Sequence, residues 1–256
     1  MSKWDVREAC REGDTSRLKK LIAAKAPLDV LDIDDELGYI EGQICWRPMH
    51  HAAANDMHKC IDMLIDAGVS ANSQTDSGMS ALLIAAERGK LNAVKCLLKR
   101  GADPRLGDKQ GQKPLLLAAA VKNLDVVVEI LKHIEPEQAH DIDNDGWSAM
   151  HHAAAVGHTP IVELLVTKYK ANIMQKDYEG WNSLGLAVAN DKFTCAKRII
   201  ELAGGYAECL QLLIEHGACV NVINDDGDHA LWAAEAKGRT RCVEILTPHT
   251  DPEFLE

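Results

Sequence analysis

One six-residue pattern returns six times along this chain, and no other feature limits the possible folds so tightly. It reads Arg47-Pro48-Met49-His50-His51-Ala52, Ser80-Ala81-Leu82-Leu83-Ile84-Ala85 and Lys113-Pro114-Leu115-Leu116-Leu117-Ala118 in the first half. It returns as Ser148-Ala149-Met150-His151-His152-Ala153, Asn182-Ser183-Leu184-Gly185-Leu186-Ala187 and His229-Ala230-Leu231-Trp232-Ala233-Ala234. The first positions are 33, 33, 35, 34 and 47 residues apart. A second apolar segment follows each string, as in Cys60-Ile61-Asp62-Met63-Leu64-Ile65, with the i, i+3, i+4 spacing of a helix buried on one face. Several of these segments close at glycine, at Gly68, Gly101 and Gly217, where a left-handed cap meets no Cβ penalty. Turn-forming tips such as Asp76-Ser77-Gly78, Asp143-Asn144-Asp145-Gly146 and Asp177-Tyr178-Glu179-Gly180 lead into the next string. Each unit is therefore predicted to be helix, turn, helix and projecting hairpin.

Composition decides how such units pack. Of 256 residues 46% are apolar and only 4% aromatic, so the core has to come from closely packed Ala, Leu, Ile, Val and Met, which favours helix on helix. This apolar content excludes disorder. The longest apolar stretch, Leu115 to Val121, falls well short of the ~18–20 residues of a membrane span, so no membrane partner is expected. Charged residues fill the beginning of the chain where a signal peptide would be apolar, and a cytoplasmic or nuclear location follows as an expectation. Eight cysteines lie in helical segments without C-x-x-C pairs and read as reduced thiols.

The repeated string resembles the T-P-L-H-x-A signature of the ankyrin repeat family, whose period is about 33 residues. The resemblance covers nearly the whole chain and implies an all-α fold, an ankyrin-repeat solenoid of stacked helix-turn-helix units with projecting β-hairpin-like loops. The threonine is replaced in every copy, and the histidine survives only at His50 and His151. On this reading residues 1–256 form a single repeat domain. Residues 1–45 make an N-terminal capping repeat and a long acidic loop, followed by repeats 46–78, 79–111, 112–146 and 147–180. Residues 181–226 hold a repeat with 14 residues beyond the 33-residue period, and 227–256 a C-terminal capping repeat. The excess is either an inserted helix or the remnant of a repeat that has lost its hairpin and first helix.

Several local patterns hint at chemistry and are better read structurally. Asp141-Ile142-Asp143-Asn144-Asp145-Gly146 begins like a calcium-binding EF-hand loop, but its twelfth position is His152 where a bidentate glutamate is required. It is expected to be an acidic hairpin tip. Gly146-Trp147-Ser148-Ala149 lacks the second glycine of a nucleophile elbow, leaving Ser148 as a helix cap. Adjacent histidines, His50-His51 and His151-His152, point to different helix faces and do not make a metal site. The resemblance implies that the first of each pair bonds to neighbouring backbone; the second then reads as packing or surface. Cys60, Cys195, Cys209 and Cys242 share the register of Ile161 and read as buried thiols, leaving Cys45 as the one to test for reactivity. No cofactor, metal or catalytic residue is expected, and no enzyme.

The tryptophans carry the functional reading. Trp46, Trp147 and Trp181 each directly precede a string. The resemblance places that register on the concave side at the root of the hairpins, with residues near the end of the first helix, among them Val121 and Val156. Trp46, Trp147, Trp181, Tyr178, Val121 and Val156, flanked by Asp145 and Glu179, are accordingly the candidate partner-binding residues. Trp232 reads as packing and Trp4 as part of the N-terminal cap. Exposed apolar surface marks binding sites, indoles attract cations within about 6 Å, and nearby carboxylates add long-range attraction. The expected function is a non-catalytic protein-binding module, an adaptor, scaffold or inhibitor, acting as a monomer on a segment that carries Lys or Arg beside an apolar anchor. The alternative is a methyl-lysine or cationic-peptide reader at Trp147 and Trp181. A net charge of −11 argues against nucleic acid. From the resemblance alone, Asn72 and Asn221 are candidates for asparaginyl hydroxylation.

Overall fold

The first residue of each string sits in extended backbone, and the residue after it begins a helix. Arg47, Ser80, Lys113, Ser148 and Asn182 cap five helices with φ between −91° and −99° and ψ between 160° and 171°. Pro48 and Pro114 occupy the first turn, where the missing N–H has no helical partner in any case. In this computed structural model the described residues are 3–29, 46–202, 206–215, 221, 230–236 and 238–252. The long acidic loop, Cys45, Gly217 and Asn224 to Gly227 lie outside them, as do the side chains of Trp4 and Cys209.

The described residues form α1 (Lys3–Glu12), α2 (Thr15–Ala23), α3 (Pro48–Ala54), α4 (His58–Asp66), α5 (Ala81–Glu87) and α6 (Leu91–Lys99). They continue through α7 (Pro114–Ala120), α8 (Leu124–Leu131), α9 (Ala149–Val156), α10 (Thr159–Tyr169), α11 (Ser183–Ala189) and α12 (Phe193–Leu202). The last are α13 (Tyr206–Glu215), α14 (Ala230–Ala236) and α15 (Thr240–Leu246). Isolated bridges Gln74↔Ser80, Ile142↔Ser148 and Lys176↔Asn182 close the hairpin-like tips, and the described residues contain no extended strand.

Two rows of helices result. First helices α1, α3, α5, α7, α9 and α11 pack on one another in that order, and second helices α2, α4, α6, α8, α10 and α12 form the other row. The seam between them is filled by side chains of the predicted kind, such as Leu18, Met49, Ile61, Leu82, Leu97, Ile130, Ile161 and Leu165. Gly68 and Gly101 end α4 and α6 with φ of 93° and 86°. Polar links tie consecutive units outside the seam. The Asp56 carboxylate accepts from the Ala93 backbone N–H at 2.7 Å and from Asn92 Nδ2 at 2.8 Å. Tip backbones bond in sequence, Lys109 N–H to Ser77 O at 3.1 Å, Asn144 N–H to Gln110 O at 3.0 Å and Tyr178 N–H to Asp145 O at 3.1 Å.

The regular order breaks after α12. α13 packs between α12 and α15 and so continues the row of second helices, while α11 and α14 do not pack as earlier first helices do. A small separate core of Ala207, Leu231, Ala234, Cys242 and Leu246 holds α13 to α15 together. Trp232 is not the packing residue its string position implied. It is 52% exposed.

Candidate functional site

Three of the tips are each shaped by an acidic side chain, and in the first tip Thr75 Oγ1 takes that place, accepting from Met79 N–H at 3.1 Å. Asp143 Oδ1 accepts from the backbone N–H groups of Asp145 at 3.1 Å and Trp147 at 2.8 Å. Asp177 does the same for Glu179 at 3.0 Å and Trp181 at 2.8 Å, and Asp108 for Gln110 and Gln112. Within the run from Asp141 to Asp145, Asp143 is used inside its own turn, Asp141 pairs with Lys113 Nζ at 2.6 Å and the Asn144 amide donates to Lys109 O at 3.0 Å. Among the described residues no cluster of three or more His, Cys, Asp or Glu is placed to hold a metal ion.

The second oxygen of Asp143 fixes a tryptophan. His152 Nε2 lies 3.2 Å from Asp143 Oδ2, and the His152 ring packs against Trp147 with centroids 5.0 Å apart. Burial lowers the His152 pKa even though Asp143 opposes the shift, so the neutral ring donates its Nε2–H to the carboxylate. His51 meets Trp46 in the same way at 5.1 Å. His51 and His152, expected as packing or surface, pack specifically under the indoles. Their string neighbours are backbone-bonded. His50 Nδ1 accepts from Arg47 N–H at 2.9 Å and Nε2 reaches Ser73 O at 3.2 Å, while His151 bridges Ser148 and Gln175 O.

The candidate residues divide into distinct environments. Trp46 and Trp147 are half-buried over their histidines. Trp181 is 39% exposed and leans on Gly185, where an added Cβ would lie 3.0 Å from the ring. Tyr178 is exposed, yet its ring crosses Gly146, φ 84°, so closely that a Cβ there would sit 3.1 Å from the ring and 2.9 Å from the Tyr178 nitrogen. Tyr178 therefore braces one finger on the preceding one. Val121 is exposed, Val156 half-buried, and Asp145 and Glu179 are exposed.

One contact was not foreseen. The Arg88 guanidinium lies over the Trp46 ring at 5.1 Å, within cation–π range. Arg88 is the C-cap of α5, in the unit after Trp46, and the residue at that register in the unit after Trp147 is Asn190.

The candidate hydroxylation sites share one geometry. The Asn72 amide donates to Gly101 O at 3.3 Å and accepts from Asp103 N–H at 2.8 Å. The Asn221 amide donates to His249 O at 3.4 Å and accepts from Asp251 N–H at 3.1 Å, so each asparagine joins two consecutive units. Cys10, Cys60, Cys195 and Cys242 are buried free thiols. Burial pushes Cys96, half-buried on α6, up to about 12, and the hydrogen bond with the Cys60 thiol, with burial second, raises Cys10.

A family model described as "Ankyrin repeats (3 copies)" matches residues 7–108, 49–139 and 115–204, which together run from 7 to 204. The chain belongs to the ankyrin repeat family. Among curated ankyrin-type relatives, Inversin of zebrafish (Danio rerio) is 30% identical over 247 residues, 95% of this chain and 22% of that protein. Inversin of dog (Canis lupus familiaris) is 28% identical over 244 residues, 95% of this chain and 21% of its own length. Ankyrin repeat and SOCS box protein 3 of cattle (Bos taurus) is 31% identical over 174 residues, 66% of this chain and 31% of that protein. The chain thus spans only about a fifth to a third of the relatives it matches.

Proposed function

We propose that this ankyrin repeat chain is a non-catalytic protein-binding module whose hairpin side takes an extended partner segment with Lys or Arg at Trp147. The observation that carries the reading is internal. Trp46 holds a cation from its own chain, Arg88, whereas Trp147, fixed in the same register by His152 and Asp143, is followed by the neutral Asn190. A partner's cation over Trp147 would make the contact that Arg88 makes over Trp46, and exposed Asp145 and Glu179 favour positive charge nearby. Exposed Val121 offers an apolar anchor one repeat away from half-buried Val156.

The methyl-lysine alternative is less well supported. A cage needs several aromatic walls around one ammonium, and here one indole packs on His152 while Tyr178 covers Gly146. Monomeric state and a cytoplasmic or nuclear location belong to the same proposal. The test is a proteomic pull-down from cell lysate comparing the wild-type chain with Trp147→Ala plus Trp181→Ala, with circular dichroism as the folding control. Loss of specific partners from a folded double variant supports the reading, and an unchanged partner set overturns it. Arraying the captured partner's peptides with unmodified and trimethylated lysine then separates the two versions.

A further inference from the structure

Two indoles of this chain stand on the same kind of support, and one of them is already occupied. Trp46 packs on His51 with ring centroids 5.1 Å apart, and Trp147 packs on His152 at 5.0 Å. The first helix of the following unit lies alongside in both cases, α5 on α3 and α11 on α9. Those two helices end alike. The C-cap of α5 is Arg88, with φ −92° and ψ 3°, and the C-cap of α11 is Asn190, with φ −101° and ψ 16°. Support, register and cap backbone therefore match, and the side chain at the cap differs.

That side chain decides what the indole meets. The exposed Arg88 reaches back to the preceding unit and lays its guanidinium over the Trp46 ring at 5.1 Å. Asn190 turns to its own helix, where Nδ2 donates to Leu186 O at 2.8 Å, as Asn55 Nδ2 at the end of α3 donates to His51 O at 2.9 Å. An asparagine at this cap spends its donor within one turn and brings no cation to the neighbouring unit.

Arg88 also differs from the arginines that join helices by charge. Arg17 pairs with Asp5 and Glu8, Arg100 with Asp62 and Asp66, and Arg198 with Glu163 and Glu201. Among the described residues Arg88 forms no ion pair, so the indole face is what holds its guanidinium. A guanidinium is planar and weakly hydrated and stacks on an aromatic face, whereas an ammonium keeps its water more strongly. At an exposed position such a contact is worth only about a two- to fivefold preference, which an arginine from another molecule can overcome.

We propose that Trp46 is a second arginine-accepting subsite, closed by Arg88 acting as a built-in competitor, and that the residue at this cap selects which indole takes an arginine from a partner. This rests on the reading of Trp147 as a cation site, and it narrows the ligand there from any cation to a guanidinium. Arg88 is thus a specificity-determining residue. It directs a partner's arginine to Trp147, where the exposed carboxylates of Asp145 and Glu179 add attraction.

The experiment follows the indole N–H signals of Trp46 and Trp147 by NMR in the full chain, assigned through Trp46→Phe and Trp147→Phe. The probe is N-acetyl-arginine amide in the millimolar range, with N-acetyl-lysine amide as the ammonium and N-acetyl-citrulline amide as the neutral isostere. In the wild type the arginine probe should shift Trp147 and leave Trp46 unmoved, the lysine probe should act more weakly, and citrulline should have no effect. Arg88→Asn introduces the residue type that already caps α3 and α11, so the fold is retained and Trp46 should now respond in the same ligand order. Asn190→Arg should close Trp147 in turn, weakening its response by about two- to fivefold. A Trp46 signal that stays still in Arg88→Asn, or that responds equally in the wild type, overturns the proposal. Equal shifts from the arginine and lysine probes overturn the guanidinium preference. Silence of Trp147 in every form overturns the functional reading instead, while Trp46 in Arg88→Asn tests the competitor by itself.

Discussion

His50 and His151 are enclosed by the stack, and burial lowers the pKa of both, that of His50 to about 4. An unfolded imidazole titrates near 6.5, so below that pH the unfolded chain binds a proton that the folded chain refuses. The stability present above about pH 6.5 is therefore lost as pH falls, until the folded His50 also protonates near 4. For His50 the loss between pH 7 and pH 5 is about 2 kcal/mol. His50→Gln keeps hydrogen-bonding groups but cannot titrate, so urea unfolding at the two pH values should show a correspondingly smaller loss; equal losses would remove His50 as the source. A second residue-scale prediction comes from Asp177. Its Oδ2 is buried without a partner among the described residues, whereas Asp143 Oδ2 has His152, and the residue at His152's register one unit on is Leu186. An unsatisfied buried oxygen costs about 1–3 kcal/mol. Leu186→His should return about 1 kcal/mol of this and raise Tm by roughly 2–4 °C in calorimetry; a lowered Tm would show that the lost leucine packing outweighs the new bond.

Elements here are short, and their stability rests on turns that hold them in register. Gly68 and Gly146 are both left-handed, but space around them differs. A Cβ at Gly68 meets nothing within 4 Å, whereas at Gly146 it meets the Tyr178 backbone at 2.9 Å. Gly68→Ala should cost about 1–2 kcal/mol for the backbone conformation alone. Gly146→Ala should cost more, with the excess measuring the close approach of neighbouring fingers. Thermal unfolding of the two variants checks this, and equal costs would mean that the finger moves aside freely. The same comparison explains what the sequence disclosed. Helix starts, second-helix faces and the role of His50 were legible because each depends on residues within one unit and recurs at a fixed spacing. Arg88 over Trp46 and Tyr178 over Gly146 were not, because each depends on which side chain the next unit presents. A signal existed for the first, since Arg88 holds one register in the unit after a tryptophan, but only knowledge of the stacking distance turns that register into a contact.

At the scale of the whole molecule, a stack of repeats is held together by interfaces between neighbours, so cooperativity extends only as far as those interfaces do. From α1 to α12 both rows pack continuously around one buried core. Beyond α12 the described first helices no longer pack in sequence, and α13 to α15 share the separate core of Ala207, Leu231, Ala234, Cys242 and Leu246, joined to the stack through α12 and α13. Among the described residues α11 and α14 do not pack as the earlier first helices do, so the C-terminal helices should open at a lower free energy than the central ones. Native-state hydrogen exchange is the direct measurement. Amides of α14 and α15 should exchange through an opening that leaves α5 to α10 protected, and rising denaturant should merge the two groups only near global unfolding. A single shared opening energy would mean that the α12–α13 contact alone couples the two cores, and that the change in packing order carries no thermodynamic weight.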